Sequence, residues 1–370
     1  MTLKSIYLKN FRLHKSSVLE FSDELNYIVG GNGQGKTTIL ESIYYLCTTK
    51  SLNGSSDYES VNFNEEFFEI KGKFFDLTEN NVVINFINES KRKNIYIDEK
   101  QIYKSSEVIG KFPVVTLTQS DHAVTFGSPG DRRKFIDSVI SQTSETYLKI
   151  LIEYNKTLKQ RSSLLSQIKE RYSPVLVDQL DAWSEALLKN GSEIVKHRLK
   201  FIDEFNVYVS EAYKNVMEES EIPFIDYDFY GSKKVDEIKD RFNEELTTNR
   251  NDEIRRGTNL VGPHRDEFQF ILNGKELRKY GSQGQHKTFQ IALRFAQFFY
   301  MKDKIQKSPI FLMDDVFGEL DSYRAKKISH YLKEIGQAFI TMTDFTNYKF
   351  LARNEKDKLI EVSEGKAVYA

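Results

Sequence analysis

The run Gly30-Gly31-Asn32-Gly33-Gln34-Gly35-Lys36-Thr37 constrains this 370-residue chain more than any other feature. It fits the pattern G-x-x-x-x-G-K-[ST]. Before it lies a short apolar run, Leu25-Asn26-Tyr27-Ile28-Val29; after it Ile39, Leu40, Ile43, Leu46 and Cys47 fall on one face of a helix. Strand, glycine-rich loop and helix in that order predict an α/β fold with a phosphate-binding loop. The glycines let the backbone curl so that successive N–H groups point inward, and the helix N-terminus adds partial positive charge. Lys36 then reaches the outer phosphates of a nucleotide, the Thr37 hydroxyl ligates Mg2+, and Thr38 completes the cradle.

Mg2+ in such a site needs a carboxylate at the end of a neighbouring strand. Ile310-Phe311-Leu312-Met313-Asp314-Asp315 supplies one: four apolar residues and then paired acids. Unpaired carboxylates at a buried strand end are costly, so the pair points to chemistry. Asp314 is expected to hold the metal through water, and Asp315 to orient the attacking water as general base. Lys36 and Asp314 are 278 positions apart, yet both must reach one nucleotide. The intervening chain therefore leaves the core and returns to it.

The rest of the sequence agrees with that plan. Strands are predicted over 5–8, 17–21 and 25–29, a meander of antiparallel strands over about 62–103, and strands again at 268–272, 310–313 and 338–342. Between about 130 and 250 the rhythm is helical and polar, without sustained heptads. The division read from this is a mixed-sheet core over 1–125 plus 257–370, with an inserted, mainly helical lobe over 126–256. A further segment, Tyr280-Gly281-Ser282-Gln283-Gly284-Gln285-His286-Lys287, precedes a helix. It offers either a helix cap or a second small anion nest.

Composition sets limits. The 53 Lys+Arg against 54 Asp+Glu leave a net charge of −1, so any nucleic-acid contact must come from local patches. The clusters Lys91-Arg92-Lys93, Arg132-Arg133-Lys134 and Arg255-Arg256 are the candidates. Cys47 is the one cysteine, which excludes an internal disulfide, and no Cys/His spacing suits zinc. The N-terminus lacks a signal-peptide core and no run of about twenty apolar residues occurs. A cytoplasmic protein without membrane partners is expected.

Taken together, Asn10-Phe11-Arg12, the loop Gly30–Thr37 continuing into Leu40-Glu41, Gly262-Pro263-His264-Arg265-Asp266, Ser282-Gln283-Gly284-Gln285, and Asp314-Asp315 followed by Glu319-Leu320-Asp321 resemble, in order, the RecF family of DNA recombination and repair proteins. The resemblance covers both ends well and the middle lobe loosely. It implies an ABC-type ATPase head, with segment 280–290 packing on the inserted lobe, that forms an ATP-dependent homodimer. Ser282, Gly284 and Gln285 would meet the γ-phosphate held by the other subunit, Arg12 would lie near the nucleotide, and Asp321 would pack across the interface. ATP and Mg2+ are the implied cofactors. DNA, gapped and bound without regard to sequence, and RecO and RecR type proteins are the implied partners, with loading of RecA the implied task.

Some residues depart from the pattern. Gln119-Ser120-Asp121 stands where a Pro-Glu-Asp type sequence is common in the family, and Gln119 is a candidate Mg2+ sensor. His286-Lys287 replaces Gln-Arg, Gly318 replaces Ser, and Thr341-Met342-Thr343-Asp344 carries no switch histidine. The short Asp315 in place of Glu fits a slow, switch-like ATPase. Two rival readings are a P-loop kinase or GTPase and the ATP-binding subunit of a transporter. Asn155-Lys156 is followed by Thr157-Leu158, which disfavours guanine recognition, and the missing histidine and large insertion disfavour the transporter.

Overall fold

The structure, a computed structural model, describes residues 1–217, 221–344 and 354–369. It divides into two compact units, one of Met1–Asp121, Ala212–Glu219 and Ile291–Ala370, the other of His122–Glu211 and Ser220–Gln290.

The first unit is built on two six-stranded sheets. In one, the order is Lys366–Tyr369, Lys358–Ser363, Leu25–Val29, Ala338–Met342, Ile310–Asp314 and Val114–Leu117. Five of these strands run parallel, and Lys366–Tyr369 closes the edge as the antiparallel arm of a hairpin. A parallel strand covered on both faces reads as a continuous apolar run. Ile310, Phe311, Leu312 and Met313 are accordingly all fully buried.

The other sheet is antiparallel, in the order His14–Glu20, Thr2–Phe11, Phe67–Phe75, Glu79–Ile87, Arg92–Ile97 and Lys100–Ile102. Its meander is the one predicted over 62–103. Here burial alternates: Phe68, Ile70 and Phe74 face in while Lys71 and Lys73 face water. Helix Lys36–Thr48 turns Ile39, Leu40, Ile43 and Leu46 into the same core. The expected α/β head, a mixed sheet with an antiparallel β part, is thus present.

The second unit is mainly helical, with Pro129–Thr143, Glu145–Glu170, Ile238–Arg256 and most of the 44-residue helix Pro174–Met217. It also holds a small antiparallel sheet, Lys275–Glu276, Gln269–Leu272 and Pro223–Asp226. This corrects the expected boundary at 257. The apolar run 268–272 pairs with Pro223–Asp226, so residues 257–290 belong with the helical lobe and the chain rejoins the first unit at Ile291.

Two buried ionic clusters hold this unit together. Arg198, 2% exposed, donates to Asp137 (2.9 and 3.0 Å), to Asp266 (2.8 Å) and to the Pro263 carbonyl (2.7 Å). Arg161 bonds Glu253, Ser184 and Asn259. The Gly262–Asp266 run feeds the first cluster, with Tyr227 also donating to Asp266 at 2.6 Å.

Candidate functional site

The phosphate-loop pattern folds as its residues dictate. Gly30 follows strand Leu25–Val29 and passes so close to the hairpin that an added Cβ would sit 2.2 Å from the Val362 carbonyl oxygen. Gly35 adopts φ 106°, a left-handed conformation open to glycine at little cost, and opens helix Lys36–Thr48. That helix has no side-chain cap. Its first N–H groups are therefore available to an anion, and the helix dipole favours negative charge there.

Lys36 bends back over the loop, its Nζ donating to the carbonyls of Gly30 (2.6 Å) and Gly31 (2.8 Å). Burial pulls its pKa below the ordinary lysine range, while Asp315 and Asp314 act to raise it. Thr37 Oγ1 donates to Asp314, 2.9 Å from Oδ1 and 3.1 Å from Oδ2. The two halves of the predicted site, 277 positions apart in the chain, therefore meet.

They do not meet across neighbouring strands, as the sequence reading had it. Ala338–Met342 lies between Leu25–Val29 and Ile310–Asp314, in register so that Thr341 stands opposite both Ile28 and Asp314. Thr341 fills the gap: its hydroxyl donates to Asp314 Oδ1 (2.7 Å) and accepts from the Asp315 N–H (2.9 Å). Asp315 itself takes a left-handed φ of 50°, which turns the chain off the end of its strand.

Thr37 and Asp314 offer hard oxygen donors in contact with one another. Among the described residues no group of three or more His, Cys, Asp or Glu is arranged to hold a metal. The Thr37–Asp314 pair fits Mg2+, which keeps several waters and takes one or two protein ligands beside substrate phosphates. Gln119 lies just beyond strand Val114–Leu117, which runs beside Ile310–Asp314, and its side chain is exposed.

A cavity of about 650 Å3 adjoins the loop, lined among others by Arg12, Thr37, Thr38, Glu41, Asn62 and Phe63. Its volume suits a nucleoside. Arg12 is held there by a two-point contact with the buried Glu41 (2.8 and 3.1 Å) and by the Glu59 carbonyl (3.1 Å). Glu41 was quoted in sequence only as part of the loop's continuation; its role as the anchor of Arg12 is new.

Ser282, Gly284 and Gln285 belong to the second unit. There Ser282 caps helix Gln283–Ile305 reciprocally: its hydroxyl accepts from the Gln285 N–H (3.2 Å) and its own N–H donates to Gln285 Oε1 (2.8 Å). Gln285 also donates to Glu221 at 2.7 Å. Asp321 is likewise a cap, accepting from the Arg324 N–H.

In two of the three basic clusters part of the charge is engaged within the fold, while Lys91, Arg92 and Lys134 stay exposed. Arg132 is buried and paired with Glu267, and Arg133 bonds the Asp266 carbonyl, so both guanidinium groups are engaged inside the second unit. Lys93 turns inward to Asp57 and the Thr49 carbonyl. Arg255 pairs with Asp252 but stays largely exposed.

The family described as RecF/RecN/SMC N terminal domain matches residues 2–367. The DNA replication and repair protein RecF of Chloroherpeton thalassium is 38% identical over 358 residues, covering 93% of this chain and 95% of its own. The chain belongs to the RecF family. A solved structure of the recombination mediator protein RecF-ATPrS in the RecFOR pathway superposes with a TM-score of 0.90 at 30% identity, covering 100% of this chain and 98% of the other. A Pyrococcus furiosus Smc head domain with an extended coiled coil, bound to the C-terminal domain of ScpA, shares the fold at TM-score 0.58 and 17% identity, over 100% of this chain and 95% of that one. No helix among the described residues is long and apolar enough to cross a membrane.

Proposed function

We propose that this RecF-family chain binds ATP with Mg2+, closes on it as a homodimer, and uses slow hydrolysis to time its residence on DNA during replication and recombinational repair. One observation carries the reading: the Thr37–Asp314 contact, which joins a phosphate cradle to an acid-bearing strand end. In the active site Lys36 and the uncapped helix N-terminus would hold the phosphates, Thr37 and Asp314 the metal, and Asp315 the attacking water. Arg12 would face the nucleotide from the cavity wall. The relatives' names, which speak of DNA replication and repair and of ATPrS in the RecFOR pathway, support ATP, DNA and RecO and RecR type partners in this chain too. Loading of RecA at single-stranded gaps is the task that fits those partners.

Light scattering with and without Mg2+ and ATP, in the presence of gapped DNA, tests the clamp. The wild-type mass is expected to double with ATP; a monomer at every nucleotide concentration defeats the proposal. Ser282→Arg is expected to bind nucleotide normally yet remain monomeric, because it would place a bulky cation where the partner's phosphates arrive. Asp315→Asn is expected to keep ATP binding and to lower turnover by at least about a hundredfold, the usual scale for loss of a general base, so that its dimer persists. Unchanged hydrolysis in single-turnover measurements would remove Asp315 from that role.

A further inference from the structure

The underside of the phosphate loop carries a group that the functional reading leaves unused. His14 is fully buried beneath Gly35. Its Nε2 lies 3.2 Å from the Gly35 carbonyl oxygen and its Nδ1 lies 2.9 Å from Ser17 Oγ. Ser17 Oγ in turn donates to the Gly365 carbonyl at 3.2 Å. The hairpin of Gly365 grips the loop from the same side, through Gly365 N–H to the Gln34 carbonyl (3.0 Å) and Glu364 N–H to Gln34 Oε1 (2.6 Å).

Gly35 C=O, His14, Ser17 and Gly365 C=O are joined by three links, and both ends are carbonyls that only accept. Three links need three hydrogens. A neutral imidazole and a hydroxyl bring two, so one link stands open; an imidazolium brings the third and closes the line. Burial pushes the His14 pKa down from its usual value, and the carbonyls of Gly35 and Gly365 act the other way. Of the charged side chains on the elements around it, Lys15, Glu364 and Lys366 are exposed to water, Lys36 is turned to the Gly30 and Gly31 carbonyls, and Glu41 is engaged by Arg12. None of them bonds the ring.

We propose that His14 is a positioning residue for the phosphate loop, and that binding a nucleoside triphosphate draws a proton onto its ring. The proposal rests on the ATP-binding reading above. Phosphate bound to the N–H groups of the loop places negative charge near the Gly35 peptide. That charge favours the imidazolium, which then donates at both nitrogens and locks the loop to the hairpin. The sign follows from linkage: a ligand that raises a group's pKa takes up protons on binding and binds more tightly as pH falls.

Calorimetric titration of the full chain with Mg2+ and ATPγS, in pairs of buffers of different ionisation enthalpy, measures this between about pH 8 and about pH 6. Wild type is expected to take up a larger fraction of a proton than His14→Gln, whose amide bonds but does not titrate. Its Kd is expected to tighten on acidification by up to about tenfold more than the variant's, the effect of a one-unit pKa rise. Ser17→Ala, which cuts the middle of the line, is expected to reduce the uptake without touching the ring. Equal uptake in wild type and either variant overturns the proposal, as does a wild type with no uptake at all should both variants fail to fold. A wild type that binds no nucleotide defeats the ATP-binding reading itself, and this proposal with it.

Discussion

Lys36→Met is expected to lower the affinity for Mg2+ and ATP by about a hundredfold or more and to abolish ATP-dependent dimerisation. The ammonium makes its contacts within the loop, 2.6 and 2.8 Å from two of its carbonyls, with Asp314 and Asp315 near enough to act on its charge. Charge-assisted hydrogen bonds contribute about 1.5–3 kcal/mol each, so losing two against phosphate amounts to roughly 3 kcal/mol or more. The same change should leave folding nearly intact, because Gly30 and Gly31 are at least partly exposed and water replaces the lysine on their carbonyls. Equilibrium binding of a fluorescent ATP analogue, paired with a thermal melt, separates the two effects. An affinity within about threefold of wild type would remove Lys36 from the phosphate site.

Arg198→Met is expected to destabilise the chain by about 3–5 kcal/mol, since it leaves Asp137 and the buried Asp266 without their shared cation. The guanidinium is buried, lies 5.6 Å from the Phe268 ring centre and meets five oxygen contacts, so little water is at hand to compensate. The pH dependence has a definite sign. Burial already pushes the Asp266 carboxyl up to about 6, with Arg198 holding it down. Removing Arg198 raises that pKa further. A raised folded pKa makes the native state the better proton binder, so the deficit relative to wild type is largest above the variant's pKa and shrinks as pH falls from there to about 6, below which both chains gain alike. Urea unfolding of both chains at about pH 7.5 and about pH 5 should show the gap between variant and wild type narrowing in acid. A deficit below about 1 kcal/mol at both would mean that the cluster contributes little.

What was legible in the sequence was what is local. The loop Gly30–Thr37 announces itself because strand, turn and helix are contiguous, and the acid pair 314–315 because a fully buried strand reads as an apolar run. What was not legible depends on neighbours far along the chain. Thr341 looked notable only for not being histidine; its bond to Asp314 follows from strand order, with Ala338–Met342 between the two half-sites. Residues 268–272 have the composition of a core strand whichever sheet they join, and their pairing with Pro223–Asp226 moved the lobe boundary. Arg132 and Arg133 read as a basic patch because Glu267 and Asp266, more than 130 positions away, are invisible in a short window. His14 carried no signal at all, since its meaning comes from Gly35 and Gly365 on either side of it.

The hairpin behind the phosphate loop has one more consequence. Gln34 and Glu364 are 330 positions apart, and the nascent polypeptide leaves the ribosome from its N-terminal side. The glycine-rich turn is thus made before the hairpin that backs it. That dependence makes fusions or deletions around positions 358–369 an indirect way to disarm a loop that they never touch in sequence.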